Sequence, residues 1–201
     1  MLKNPIPKVT NQLQHRAIGI INGKFTPLSN EQLNRGFLID NKDEKIETVV
    51  LGKAFSLLKK HIDLKKSYYW IVYPKNKNTQ NLHLQVAGIW DPYQLNDFPN
   101  DSSKTKFSKL LEELDLKDNY FSVRGELVFV NTQKKEIVIK ICPTINSKNL
   151  KNFKLVIKGE LSLELLHSFV SLDINRDGNS LELIKYEVIE KNLSKKTRMK
   201  G

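Results

Sequence analysis

Apolar and polar residues alternate in short runs along most of this chain, and the runs come in two sets. The second set is the clearer. Val123 to Phe129, Glu136 to Ile141 and Phe153 to Gly159 each alternate with the period of two that marks a half-buried strand. Leu161 to Phe169 then carries apolar residues at helical spacing. Val170 to Ile174 and Leu181 to Ile189 follow, on either side of Asp177-Gly178. Five strands with a helix between the third and fourth is the element order of an OB-fold, a small barrel used to bind nucleic acids or sugars.

The first set starts at Arg16 to Phe25, a strand weakened or bulged by its glycines. Gly36 to Ile39 and Ile46 to Leu51 read as a hairpin about Asn41-Lys42-Asp43. Lys53 to Ile62 places Phe55, Leu58 and Ile62 on one helical stripe. Tyr68 to Tyr73 and Leu82 to Trp90 form a last, long hairpin. Because the helix follows a hairpin and one long hairpin closes the set, an incomplete or rearranged barrel is expected here. The fold class expected is mainly β with short helices, two small OB-like β-barrel domains in tandem. The expected boundaries are a loose arm over 1–14, a first barrel over 15–92, a linker with a short helix over 93–119, an OB-like domain over 120–190 and a basic tail over 191–201.

Charge sharpens this picture. Residues 1–100 carry fourteen basic and eight acidic side chains, residues 101–190 fourteen of each, and the last eleven residues five basic and none acidic. A net charge of +11 points to an anionic partner or to a merely soluble surface. The apolar runs are too short for a membrane helix. The N-terminus lacks the apolar stretch of a secretory signal, so a cytoplasmic protein with no membrane partner is expected. Lone Cys142 makes no internal disulfide and reads as an inert strand thiol.

Candidate binding residues fall in three places. Alternation turns Arg124, Lys140, Lys154 and Lys158 outward in the second set, opposite an inward row that includes Val123, Leu127 and Phe129. Adjacent strands would gather the four cations on one barrel face, although Glu126, Glu136 and Glu160 intervene. Tyr69, Tyr73, His83 and Trp90, with Lys75 and Lys77, form the densest aromatic and basic interleaving in the chain, and Lys24 adds a cation nearby. Rings stack bases while ammonium groups hold phosphates. In that strand, alternation predicts Trp70 and Val72 inside and Tyr69 and Tyr73 partly exposed. The tail offers Lys195, Lys196, Arg198 and Lys200 as a phosphate-neutralising arm.

Other signals are weaker. Asp173 to Gly178 matches the first half of a calcium loop, but the twelfth position is Ile184 where a bidentate Glu is required, so an Asp-Gly hairpin explains it better. His15, His61, His83 and His167 have no ligand spacing. No nucleophile or phosphate-loop motif is present. No catalytic residue, metal or cofactor is expected.

One resemblance covers most of residues 15–190. Arg16-Ala17-Ile18-Gly19, Gly23-Lys24, Glu31 to Gly36, Leu51-Gly52-Lys53, Lys59 to Leu64, Trp70 to Pro74, Leu82 to Gln85, Tyr120 to Glu126 and Phe153-Lys154-Leu155 resemble a conserved cyanobacterial protein family. The resemblance implies a lineage and brings no catalytic residues. The basic tail looks like a shortened form of longer Lys/Arg/Pro-rich tails in that family.

Architecture, charge and rings together predict non-enzymatic, low-specificity binding of single-stranded nucleic acid, RNA before DNA. The alternative is a protein-docking or assembly factor in a cyanobacterial complex, which the balanced charge of residues 101–190 would suit.

Overall fold

The computed structural model describes residues 4–76, 81–90, 112–114, 117–142, 151–191 and 193. The expected linker helix and the tail lie outside them, apart from 112–114, 117–119, Lys191 and Leu193. Contacts divide the chain into two compact units. One holds residues 1–7, 19–73 and 84–120; the other holds 8–18, 74–83 and 121–201.

Most of the first unit is β1 (Arg16–Pro27), β2 (Arg35–Asp40) and β3 (Lys45–Val50), then α1 (Gly52–His61), then β4 (Tyr68–Asn76) and β5 (Leu82–Trp90); residues 16–18, 74–76 and 82–83 of these strands are counted with the second unit. The strands neighbour one another in the order β2, β3, β5, β4, β1, and β1 returns to β2. The ring is closed, so the expectation of an incomplete barrel is corrected. Its helix does sit between the third and fourth strands, as an OB-fold requires. Closure depends on β1 serving two partners. Residues 23–27 pair with β2 and residues 19–23 with β4, so Gly23 belongs to both ladders. A Cβ on Gly23 would collide with the backbone of Ile39 and Asp40. The carbonyl of Gly23 also accepts the indole N–H of the fully buried Trp70, at 2.9 Å. Phe25, Leu38, Ile46 and Leu84 fill the rest of the interior. α1 turns Ala54 and Leu58 inward, and its last turn carries Lys59, Lys60 and His61, which suit the negative end of the helix dipole.

The second unit repeats the plan. It contains β6 (Tyr120–Asn131), β7 (Glu136–Ile141), β8 (Phe153–Lys158), β9 (Phe169–Asp177) and β10 (Ser180–Glu190). The ring runs β6, β7, β8, β10, β9 and back to β6, with β8 and β10 parallel. Gly125 answers to Gly23: a Cβ there would lie 2.7 Å from Ile139 Cγ2. The helix expected over Leu161 to Phe169 is a single 3-10 turn, Leu163–Leu165. Leu161 and Phe169 are both buried at its ends. The segment is held by these two anchored side chains, and His167 has φ 62 just before β9. Asp177-Gly178 is a hairpin turn, with Gly178 at φ 56 and Ser180 paired to Asp177.

Gly125→Val overpacks the point where β6 meets β7. We expect it to destabilise the protein by about 1–3 kcal/mol in urea unfolding.

Candidate nucleic-acid interface

Strand register determines which side chains share an outer barrel face. In the first unit Lys24 lies opposite Ile39, and Ile39 opposite Lys45. The next row is Thr26, Phe37, Glu47, and the next joins Arg35 to Val49. Lys24, Arg35 and Lys45 are exposed, and Phe37 is half-buried among them. Leu28, 56% exposed, stands in the loop that leads into β2. Arg35, Phe37 and Lys45 lie on the strand 2–3 face, with the first loop beside it, that OB-folds use to hold oligonucleotides. Of this set only Lys24 was expected. Arg35, Phe37 and Lys45 converge across strands, whereas the sequence shows interleaving only along one. Alternation within Arg35 to Asp40 was the signal that could have found them.

The aromatic strand is mostly core. Trp70 and Val72 are fully buried, Tyr69 is half-buried and Tyr73 is 41% exposed, the facing that alternation predicts. Trp90 is not the stacking surface expected: it is 8% exposed and meets Tyr69 edge-on, with ring centroids 6.1 Å apart. Burial, then the Asp118 carboxylate, holds the Tyr69 phenol above its ordinary pKa. His83 is half-buried. In the second unit the Lys75 ammonium lies 5.7 Å from the Phe153 ring centroid. Lys77 and the tail residues Lys195, Lys196, Arg198 and Lys200 fall outside the described residues.

The outer face of the second barrel is better defined. Glu126, Lys140 and Lys154 form one row across β6, β7 and β8. Phe129, Val138 and Val156 form the next, and Asn131, Glu136 and Lys158 the third. Phe129 was expected inside but is 50% exposed. Leu127 pairs with Ile139 and Phe129 with Val138, so Val128 is an extra residue on β6. A β-bulge of this kind reverses the facing of the residues C-terminal to it. An apolar row thus lies between lysines. Lys154 and Lys158 are exposed, while Lys140 reaches Glu126 at 3.4 Å. Glu126 also meets His167 Nδ1 at 3.2 Å, so the lysines and carboxylates alternate here as expected.

Arg124 is not on this face. It is 7% exposed. Its Nη2 donates to the Gln12 carbonyl at 2.6 Å and its Nε to the Gln14 carbonyl at 3.4 Å, and the guanidinium lies 5.8 Å from the Phe169 ring centroid. Residues 8–18 belong to this unit and cover the outer side of β6, so both faces of residues 121–125 are buried and alternation loses its meaning. Burial lowers the Arg124 pKa from its ordinary value, and Glu187 opposes that shift. Beside it His15 packs edge-on against Phe169 at 5.0 Å, and its Nδ1 accepts the Cys142 backbone N–H at 3.2 Å.

Residues 17–97 match the family model described as the PatR RNA-binding protein N-terminal OB-fold domain. Residues 123–190 match the model described as the cyanobacterial OB-fold-like RNA-binding domain, C-terminal. The chain belongs to this cyanobacterial OB-fold family. Each barrel is matched by its own family model, the N-terminal one by the first and the C-terminal one by the second. No curated protein matches it. Among solved structures, a deletion mutant of the single-stranded DNA binding protein from Thermus aquaticus is similar at 9% identity over 87% of this chain and 95% of that one, with a TM-score of 0.41. So slight a likeness supports no conclusion about this chain. Among the described residues no helix is long and apolar enough to cross a membrane, and no group of three His, Cys, Asp or Glu could hold a metal ion.

Arg124→Ala leaves two backbone carbonyls without their charged donor, and we expect a stability loss of about 1.5–3 kcal/mol in urea. His15 gives a pH test. Burial, the largest cause, lowers its pKa; the Lys140 backbone and Glu126 oppose it more weakly. Folding therefore favours the neutral ring. The stability from His15 is complete above about pH 6.5, where the unfolded ring titrates, and is lost as pH falls below that value toward the lower folded pKa. The urea midpoint should drop between pH 7.5 and 5.5, and His15→Gln should flatten the drop.

Proposed function

We propose that this protein binds single-stranded nucleic acid, RNA before DNA, in the cytoplasm and without chemistry of its own. The observation that carries the reading is the Phe129–Val138–Val156 row on the outer face of β6, β7 and β8, with Lys140 and Lys154 on one side and Lys158 on the other. A flat apolar row accepts the faces of bases, and flanking ammonium groups neutralise the phosphates on either side. The RNA-binding description of the two family models supports the same reading.

Lys24, Arg35, Lys45 and Phe37 act likewise on the first barrel, and Tyr73 adds an exposed ring. Lys75 and the tail's Lys195, Lys196, Arg198 and Lys200 add charge. Trp90 and Arg124 drop out of the contact set because packing already occupies them. Stacking distinguishes bases poorly, since every base has a π face, so most of the affinity is sequence-independent and falls with salt.

The test is fluorescence anisotropy of a labelled single-stranded RNA against the full chain. We expect binding at low salt that weakens steeply as salt rises. Phe129→Ala should cost about 1–3 kcal/mol. Lys154→Gln should reduce the salt slope by about 0.7, one phosphate contact on a single strand. Absence of binding at low salt overturns the reading.

A further inference from the structure

A cleft of about 280 Å³ opens in the second unit beside the apolar row, and Val156 belongs to both. Its volume is below the roughly 300 Å³ at which pockets for drug-sized ligands begin. It suits one planar fragment rather than a folded ligand. Val156 and Leu181 give it apolar lining, and Asn76, Glu136, Lys158, Asn179 and Ser180 give it polar lining.

Three features make this a shaped site rather than a surface dent. Asn76 Oδ1 accepts the Val156 N–H at 2.9 Å, which fixes the amide and leaves its Nδ2 as the donor group. Arg176, 3% exposed, donates from Nη1 to the Gly178 carbonyl at 2.5 Å, and so holds the turn that carries Asn179. Glu136 and Lys158 are direct cross-strand partners, which brings their Cβ atoms to about 4.5–5.5 Å. Yet among the described residues no ion pair joins the two. A carboxylate that only accepts and an ammonium that only donates therefore stand side by side in the lining.

We propose that this cleft is a base-selective subsite that takes one guanine of the bound strand, an inference that rests on the single-stranded RNA reading above. Guanine presents two adjacent N–H donors, N1 and N2, next to two acceptors, O6 and N7. Glu136 accepts the donor pair, and Lys158 supplies the ammonium contact to O6 and N7. Val156 and Leu181 take the face of the ring. Asn179 and Ser180, which also line the cleft, supply polar groups for the ribose or its phosphate. Uracil has a single ring N–H between two carbonyls, so it leaves one carboxylate oxygen of Glu136 without a donor. That penalty, and not stacking, distinguishes the bases. The row holds any base and the cleft selects one.

The experiment uses the full chain and three labelled single-stranded RNAs: an oligouridine, the same strand with one central guanine, and the same strand with inosine in its place. We expect the guanine strand to bind about tenfold more tightly than oligouridine, within the range of a bidentate base contact. Inosine, which lacks the 2-amino group, should fall between them. Glu136→Gln should bring the guanine and uridine strands within about twofold of each other with the urea midpoint unchanged. If wild-type protein binds guanine and uridine strands alike, the subsite is wrong and the RNA reading stands. A preference that survives Glu136→Gln also overturns the subsite. Failure of all three RNAs to bind at low salt overturns the RNA reading and the subsite with it.

Discussion

Each barrel depends on one strand having hydrogen-bonded neighbours on both sides. β1 pairs with β2 through residues 23–27 and with β4 through residues 19–23, and the two ladders overlap at Gly23. A strand that serves two partners at one residue must let them approach closely, and only a residue without a side chain leaves the space. Gly125 has the same position beside Ile139 and Lys140 in the second barrel. Once the rings close, no open sheet edge remains between first and last strands, and every inward side chain has a fixed place. The outer faces then inherit their order from the register. The rows of cations and apolar groups are a by-product of closure.

That order explains why most aromatic side chains of β4 and β5 are packed inside. Trp70 fills the first barrel and spends its N–H on the Gly23 carbonyl; Trp90 is sealed against Tyr69. A barrel of this size needs large side chains inside, and the aromatic strand supplies them. Exposed apolar surface instead comes from smaller features: Phe129 at a bulge, Phe37 between cations, Leu28 in a loop.

Much of the fold was legible because alternation and turn residues act locally. The strand positions, α1 and the Asp177-Gly178 hairpin come from patterns that span fewer than a dozen residues. Two things did not. Leu161 to Phe169 has helical spacing, yet its spacing reflects two buried anchors, Leu161 and Phe169, at the ends of a bridge one turn long. Arg124 obeys alternation, yet residues 8–18, distant in sequence, cover the face it was assigned to. The same reason limits the site. Lys140, Lys154 and Lys158 could be placed from their own strands. The convergence of Arg35, Phe37 and Lys45, or of Glu136 with Lys158, needs a register that only pairing determines.

The extra residue at Val128 decides which parity of β6 is exposed. In an unbroken ladder of the same length Val128 would stand opposite Val138 and Phe129 opposite the buried Ile137, which turns the ring into the interior. Absorbing one residue in the bulge keeps Phe129 opposite Val138 and outside. Loss of Val128 would therefore leave the ring outward, next to Leu127, whereas straightening the bulge would bury it, and the irregularity of β6 rather than its composition is the character to follow among relatives.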